Sequence, residues 1–260
     1  MKSPRLFFFV LVFLFFFVSV EAQKRRVVSK SKNKSATAQK PKEIGNDAMV
    51  IDESLSVLRL KPSLFSDSIQ RMRRGRRVKI LESKLSDGVM FYRVAAPPNS
   101  FGWVQSEAVF GSFRRGDDER LARLIQASTG FDQLELAVNF LELFPASGFR
   151  PAILLLLGDL AEEISVKLSR DATRRLDRRE MAASGAPLHS FYLNYVSLDR
   201  YRKIGIVFLF DTKTKTFHYD GASWQEIVLK FPNSTEAAEA RKRLDSLKEI
   251  FEEKSQNRER

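Results

Sequence analysis

At 260 residues the chain is long enough for one or two domains with tails, and 44 basic against 32 acidic residues leave it at +12. It has no cysteine, which excludes disulfides, thiolate metal sites, cysteine nucleophiles and the lipidated cysteine that anchors some exported proteins. At the N-terminus Lys2 and Arg5 precede an apolar run, Leu6–Val20, and Val20-Glu21-Ala22 puts β-branched and small residues at the −3 and −1 positions of a cut before Gln23. That layout predicts a secretory signal peptide over 1–22, cleaved after Ala22, and an exported (periplasmic or secreted) protein. The run is shorter than the about 20 residues of a spanning helix, which favours cleavage over a retained anchor.

Residues 23–45 form a basic segment. Eight of the positive charges fall between Gln23 and Lys42 with no acidic residue among them. Such a stretch buries too little apolar surface to offset its chain entropy, so a disordered linker is expected. It suits anionic partners: lipid headgroups in a peripheral membrane contact, wall-polymer phosphates or peptidoglycan carboxylates. The expected export argues against nucleic acid as a partner.

Residues 46–112 read as β. Short apolar runs at Ala48–Ile51, Ser56–Leu60, Arg77–Leu81, Met90–Val94 and Gly102–Val104 alternate with turns at Lys61-Pro62-Ser63, Arg74-Gly75, Ser86-Asp87-Gly88 and Pro97-Pro98-Asn99-Ser100. That rhythm predicts a small barrel or sandwich.

From Asp117-Asp118, read as an acidic N-cap pair, apolar residues recur at helical spacing. Leu121, Leu124, Ile125 and Ser128 share one face, with Gly130 ending the helix. Phe131, Leu134, Val138, Leu141 and Phe144 form the next, up to Pro145. A third begins at Pro151 and is read as continuing into Arg170–Met181, until Ser184-Gly185-Ala186-Pro187 breaks it. Phe191–Lys203 has helical character. Ile206–Phe210 and Thr216–Tyr219 around Asp211–Lys215 fit a β-hairpin insert, with a continuous helix as the alternative. Trp224, Ile227, Val228 and Phe231 belong to a further helix, and Ala237, Ala240, Leu244, Leu247 and Phe251 make an amphipathic last one. Its end, residues 254–260, is expected to fray. Within this region Phe140-Leu141-x-x-Phe144-Pro145-x-Ser147 recurs as Ile227-Val228-x-x-Phe231-Pro232-x-Ser234. The physical reading is a helix, a proline that stops it, a serine able to cap a second helix, and that second helix folded back on the first.

These motifs carry two resemblances. Residues 46–112 resemble the bacterial SH3-like (SH3b) domain. They carry its arginine-containing first strand (Leu58-Arg59-Leu60-Lys61-Pro62-Ser63), Ile69–Met72, a strand–Gly–strand hairpin (Arg74-Gly75, Val78, Ile80-Leu81), Phe91-Tyr92-Arg93-Val94, and a closing Gly102-Trp103-Val104 that leads to Ala108-Val109. The helical region 117–253 resembles the tetratricopeptide-like repeats of bacterial envelope proteins, in which an aromatic-Pro-x-Ser turn joins two helices. Together they imply an α+β multidomain chain: a small SH3-like β-barrel followed by an α-helical tetratricopeptide-like domain with a β-hairpin insert.

No enzymatic motif stands out. The two histidines, His189 and His218, lack the spacing of metal-ligand sets, and no Gly-rich phosphate loop occurs. The pairs Asp117-Asp118, Glu162-Glu163 and Glu252-Glu253 read as helix starts or solvated faces. No cofactor and no metal site is expected. The candidate ligand-binding residues are Tyr92, Phe101 and Trp103 on the barrel and Arg73, Arg74, Arg76 and Arg77 around the turn at Gly75. A second basic cluster, Arg174, Arg175, Arg178 and Arg179, reads as a solvated helix face with acidic partners on neighbouring helices. The resemblances imply a non-catalytic envelope adaptor that binds a protein partner or a wall component. A peptidoglycan-targeting subunit of a wall-processing complex, or a carboxylate-dependent hydrolase, are the alternatives.

Overall fold

The computed structural model describes residues 43–256, with side chains as far as Phe251. The expected signal segment, nearly all of the basic segment, and residues 257–260 lie outside the described residues. The architecture is mixed α+β: a curled, open antiparallel sheet followed by helices.

Seven strands build the sheet: β1 (Asp47–Val50), β2 (Val57–Arg59), β3 (Ser68–Arg71), β4 (Arg77–Ser86), β5 (Val89–Ala96), β6 (Ser100–Gln105) and β7 (Val109–Phe110). Their order is β3-β2-β6-β5-β4-β1-β7, so β3 and β7 are edges and the sheet is a half-barrel. The β4–β5 hairpin turns on Asp87-Gly88, both at positive φ, the conformation that a two-residue hairpin loop requires. β4 runs five residues past the apolar run that predicted it. A register shift between Ile80 and Glu82 carries the ladder through the polar stretch Glu82-Ser83-Lys84. The hollow of the sheet is filled by Leu58, Met72, Val78, Ile80, Val94 and Val104.

Among the described residues eight α-helices follow: α1 (Asp117–Ala127), α2 (Gly130–Leu143), α3 (Arg150–Arg175), α4 (Arg178–Ser184), α5 (Leu188–Leu193), α6 (Asp199–Lys203), α7 (Ala222–Lys230) and α8 (Glu236–Gln256). Between α6 and α7 the insert is a hairpin, β8 (Phe208–Asp211) and β9 (Thr216–Tyr219), so the continuous-helix alternative is excluded. α8 reaches Gln256, further than expected. Gly130 opens α2; α1 already ends before Ser128. No helix among the described residues is long and apolar enough to cross a membrane.

The two Phe-Pro-x-Ser turns have the same backbone. Phe144 and Phe231 close α2 and α7 at φ/ψ of −125/61 and −131/48. Their N–H groups donate to Phe140 O and Ile227 O at 2.9 and 2.8 Å, and the N–H groups of Ser147 and Ser234 donate back to Phe144 O and Phe231 O at 3.2 and 3.0 Å. Beyond this shared backbone, Ser147 Oγ accepts Phe149 N–H at 3.3 Å. Ser147 Oγ donates to Asp118 Oδ2 at 2.8 Å, and Ser234 Oγ is buried without a partner. α2 thus folds back on α3 and α7 on α8, while α3 packs against α7 and joins the two hairpins. The α3–α7 contact is close because position 158 is glycine: a Cβ there would lie 2.3 Å from Trp224 Nε1.

Sheet and helices share a core. Along β1, Ala48 and Val50 point into the half-barrel while Met49 and Ile51 join the helical core with Phe110, Leu121, Ile125, Leu134 and Phe140. A strand buried on both faces has no polar positions to spare, which explains the unbroken apolar run from Ala48 to Ile51.

The joint between the layers is charged. Asp117, read from sequence as half of an N-cap pair, is instead the first residue of α1, behind an N-cap at Gly116, and is fully buried. Its Oδ2 accepts Gly111 N–H at 3.1 Å, and its Oδ1 accepts Arg114 Nε at 2.7 Å and Arg120 Nη1 at 3.1 Å. Arg114 also donates to Ser106 O and Val109 O. Removing one member of a buried ion pair strands the other charge, so Asp117→Ala should lower unfolding stability by about 3–5 kcal/mol. Glu119→Ala, which removes only an exposed i,i+4 pair with Arg123, should cost about 0.5 kcal/mol or less, with urea titration as the readout.

Candidate binding surfaces

The sequence-predicted residues fall into three settings. Tyr92 faces the hollow of the sheet and is 4% exposed, so it belongs to the core and offers no surface. Burial raises its phenol above the usual range, with the nearby Arg114 guanidinium opposing the shift. Phe101 and Trp103 alternate with the buried Gly102 and Val104 along β6 and therefore lie on the outer face. Phe101 is 59% exposed. Trp103 is half-buried, with Arg59 and Arg93 as its cross-strand neighbours.

The arginines around Gly75 are largely engaged within the molecule. The turn packs against α2, where a Cβ at Gly75 would lie 3.6 Å from Asn139 Oδ1. Arg74 Nη1 reaches Glu135 Oε2 at 2.9 Å and Asp132 Oδ1 at 3.6 Å, and its Nε donates to Ile51 O. Arg77 pairs with Glu142. Arg76 donates to Pro97 O, and the neighbouring Arg71 to the carbonyls of Glu53 and Ser54. Arg73 is the exposed remainder. The repulsion of a local positive cluster is met by an acidic face on α2, a pairing between positions some sixty residues apart. The arginine turn is thus chiefly a docking device between the layers.

The second cluster behaves in the opposite way. Arg170, Arg174, Arg175, Arg178 and Arg179 are all exposed, and among the described residues no carboxylate lies within ion-pair distance of any of them. The acidic partners expected on neighbouring helices are not there.

A polar chain that sequence reasoning missed runs from the insert hairpin to α3. Thr216 Oγ1 lies 3.0 Å from His218 Nε2, and His218 Nδ1 lies 3.1 Å from Glu162 Oε1. Hydroxyl, imidazole and carboxylate stand in the order used for acyl transfer. Here, however, both ends are tied down. Thr216 Oγ1 is also 2.6 Å from Thr214 Oγ1, which is bonded to Asp211, and Glu162 Oε2 accepts Tyr219 N–H at 2.7 Å. Phe217 N–H donates to Ser169 Oγ at 2.7 Å, further along α3. The chain clamps the hairpin onto the helix, and an aromatic layer of Tyr192, Phe210 and Phe217 backs it. No local signal marks this clamp, since Glu162 and His218 are far apart in sequence. No group of three or more His, Asp or Glu side chains among the described residues is arranged to hold a metal ion.

The chain matches no protein-family model, no curated protein and no solved structure. The clamp is directly testable. Glu162→Ala leaves Tyr219 N–H and His218 without their acceptor, at about 1–3 kcal/mol. Amide exchange at 217–219 should therefore accelerate, while exchange in β5 stays unchanged.

Proposed function

We propose that the chain is an exported, non-catalytic adaptor of the cell envelope, with an SH3-like half-barrel and a divergent pair of tetratricopeptide-like helix hairpins that present a surface to a protein partner. The observation that carries this reading is the repeated turn: two helix hairpins with the same Phe-Pro-x-Ser geometry, packed side by side through α3 and α7. Stacked hairpins of this kind expose helix faces and the grooves between them, which suit recognition of peptide segments. Apolar side chains left on the surface support it, with Phe65 at 90% and Leu229 at 79% exposed. Single exposed apolar residues are common on protein surfaces; Phe65, in the β2–β3 loop, and Leu229, on α7, are two separate points at which a partner contact can be sought.

A second reading draws on Phe101 and Trp103. Neighbouring outward aromatics on β6, with Arg93 beside them, are suited to stacking on a sugar ring and pairing with a peptidoglycan carboxylate. That arrangement favours a wall-targeting subunit as the alternative.

Photocrosslinkers placed singly at Phe65, Phe101 and Leu229 of the chain in exporting cells test the adaptor reading. The expected outcome is a reproducible protein adduct from at least one position. Absence of any adduct from all three, or turnover of labelled wall fragments by the purified protein, would contradict it. Co-sedimentation with purified sacculi that disappears in Phe101→Ala/Trp103→Ala would transfer the assignment to the wall-targeting reading.

A further inference from the structure

The arginine-rich stretch read as one continuous helix is broken, and the break forms a groove. α3 ends at Arg175 and Leu176 is extended. Asp177 then accepts Arg179 N–H at 2.7 Å to start α4, which Gly185 terminates in the left-handed region. No residue of α4 is buried, so this short helix stands off the body. A cavity of about 500 Å³ opens beside it, lined by the apolar side chains of Leu176, Ala186, Phe191 and Val196 and by Arg175 and Tyr195. A second cavity, of about 280 Å³, adjoins it through Leu176 and Ala186 and is lined by Arg178 and Met181. Tyr195 is more than nine-tenths buried, and its hydroxyl has no hydrogen-bond partner.

We propose that this groove binds an acidic peptide segment of a partner protein, which places one apolar side chain against Leu176, Phe191 and Val196 and its carboxylates on the arginines of α3 and α4. The proposal rests on the adaptor reading and specifies the chemistry of the partner. Three observations lead to a peptide. First, the arginines are available: Arg74, Arg77, Arg114, Arg120, Arg150 and Arg243 all meet carboxylates within the molecule, whereas the five between Arg170 and Arg179 meet none. Secondly, their charges are spread along the end of α3 and the start of α4, so a ligand with one carboxylate would leave most of them unmatched. An extended segment with several acidic side chains matches the spread, and the guanidinium fork pairs with carboxylates bidentately. Thirdly, the cavity lining is largely apolar and of a size that accepts a large side chain, which a phosphate polymer cannot use. Asp171, Asp177 and Glu180 lie in the same stretch, but Asp177 is occupied as the cap of α4, and five arginines against three carboxylates leave the local charge positive.

Fluorescence anisotropy on the full chain tests this with three labelled probes: an acidic peptide of about twelve residues with a central leucine, the same peptide with serine in its place, and polyphosphate of equal charge. The basic segment before residue 43 contributes alike to all proteins compared, so differences between variants report the groove. Arg175→Glu/Arg178→Glu changes exposed residues that line the two cavities, and Val196→Asp changes a residue that is 72% exposed; neither disturbs the core. The leucine peptide should bind with a strong salt dependence, weaken about tenfold on Arg175→Glu/Arg178→Glu, and weaken severalfold both on Val196→Asp and when serine replaces leucine. Three results would each overturn the proposal: no binding of the leucine peptide, equal affinity for the leucine and serine peptides, or equal loss of polyphosphate binding on Arg175→Glu/Arg178→Glu. If the groove fails while crosslinks at Phe65, Phe101 or Leu229 still capture a partner, the adaptor reading stands and the peptide groove alone falls.

Discussion

A buried carboxylate ties the two halves of this molecule together. Placing a charge in the interior costs several kcal/mol unless its lone pairs are all matched. Asp117 meets that demand with a backbone N–H and two guanidinium groups, and the demand itself orders the surroundings. Arg114, which follows β7, donates to Asp117 and at the same time to the carbonyls of Ser106 and Val109, and so holds the exit of the chain from the sheet. Arg120 lies 4.4 Å from the centre of the Phe110 ring and covers the side chain by which β7 enters the helical core. The position at the start of α1 adds the favourable field of the helix N-terminus.

The remaining interface obeys the same plan. Met49 and Ile51 cross from sheet to helices, and the Arg74–Arg77 turn lies against Glu135 and Glu142 of α2. The sheet therefore sits on α1 and α2 through β1, β7 and the Arg74–Arg77 turn, and the outer face of β6 lies outside this joint. The free aromatic surface on β6 and the unpaired arginines of α3 and α4 are on elements that this interface does not use. The same residue type behaves in two ways: Arg74, Arg77 and Arg114 join the layers through carboxylates, whereas the five arginines from Arg170 to Arg179 meet none.

Much of the architecture was legible because it is local. Asp87-Gly88 announces its hairpin, Pro145 and Pro232 announce where helices stop, and the apolar stripe of α8 announces its buried face. The features that were not legible depend on distant contacts. Asp117 looks like any acidic residue at a helix start until Gly111, Arg114 and Arg120 converge on it. The arginines at Gly75 look like a ligand site until the acidic face of α2 is brought to them. Tyr92 sits in a strand whose partial alternation does not tell which face is hollow. The groove beside α4 was hidden for a different reason: helical spacing continues through Leu176 and Asp177, and only the extended backbone there interrupts it.

If the sheet and the helices are joined as described, they cannot melt separately. Differential scanning calorimetry at neutral pH should give one transition with a calorimetric to van 't Hoff enthalpy ratio of about 1. Two resolved transitions, or a ratio well above that value, would mean that the half-barrel and the helical layer are independent units, and would contradict the shared, Asp117-centred joint on which this account rests.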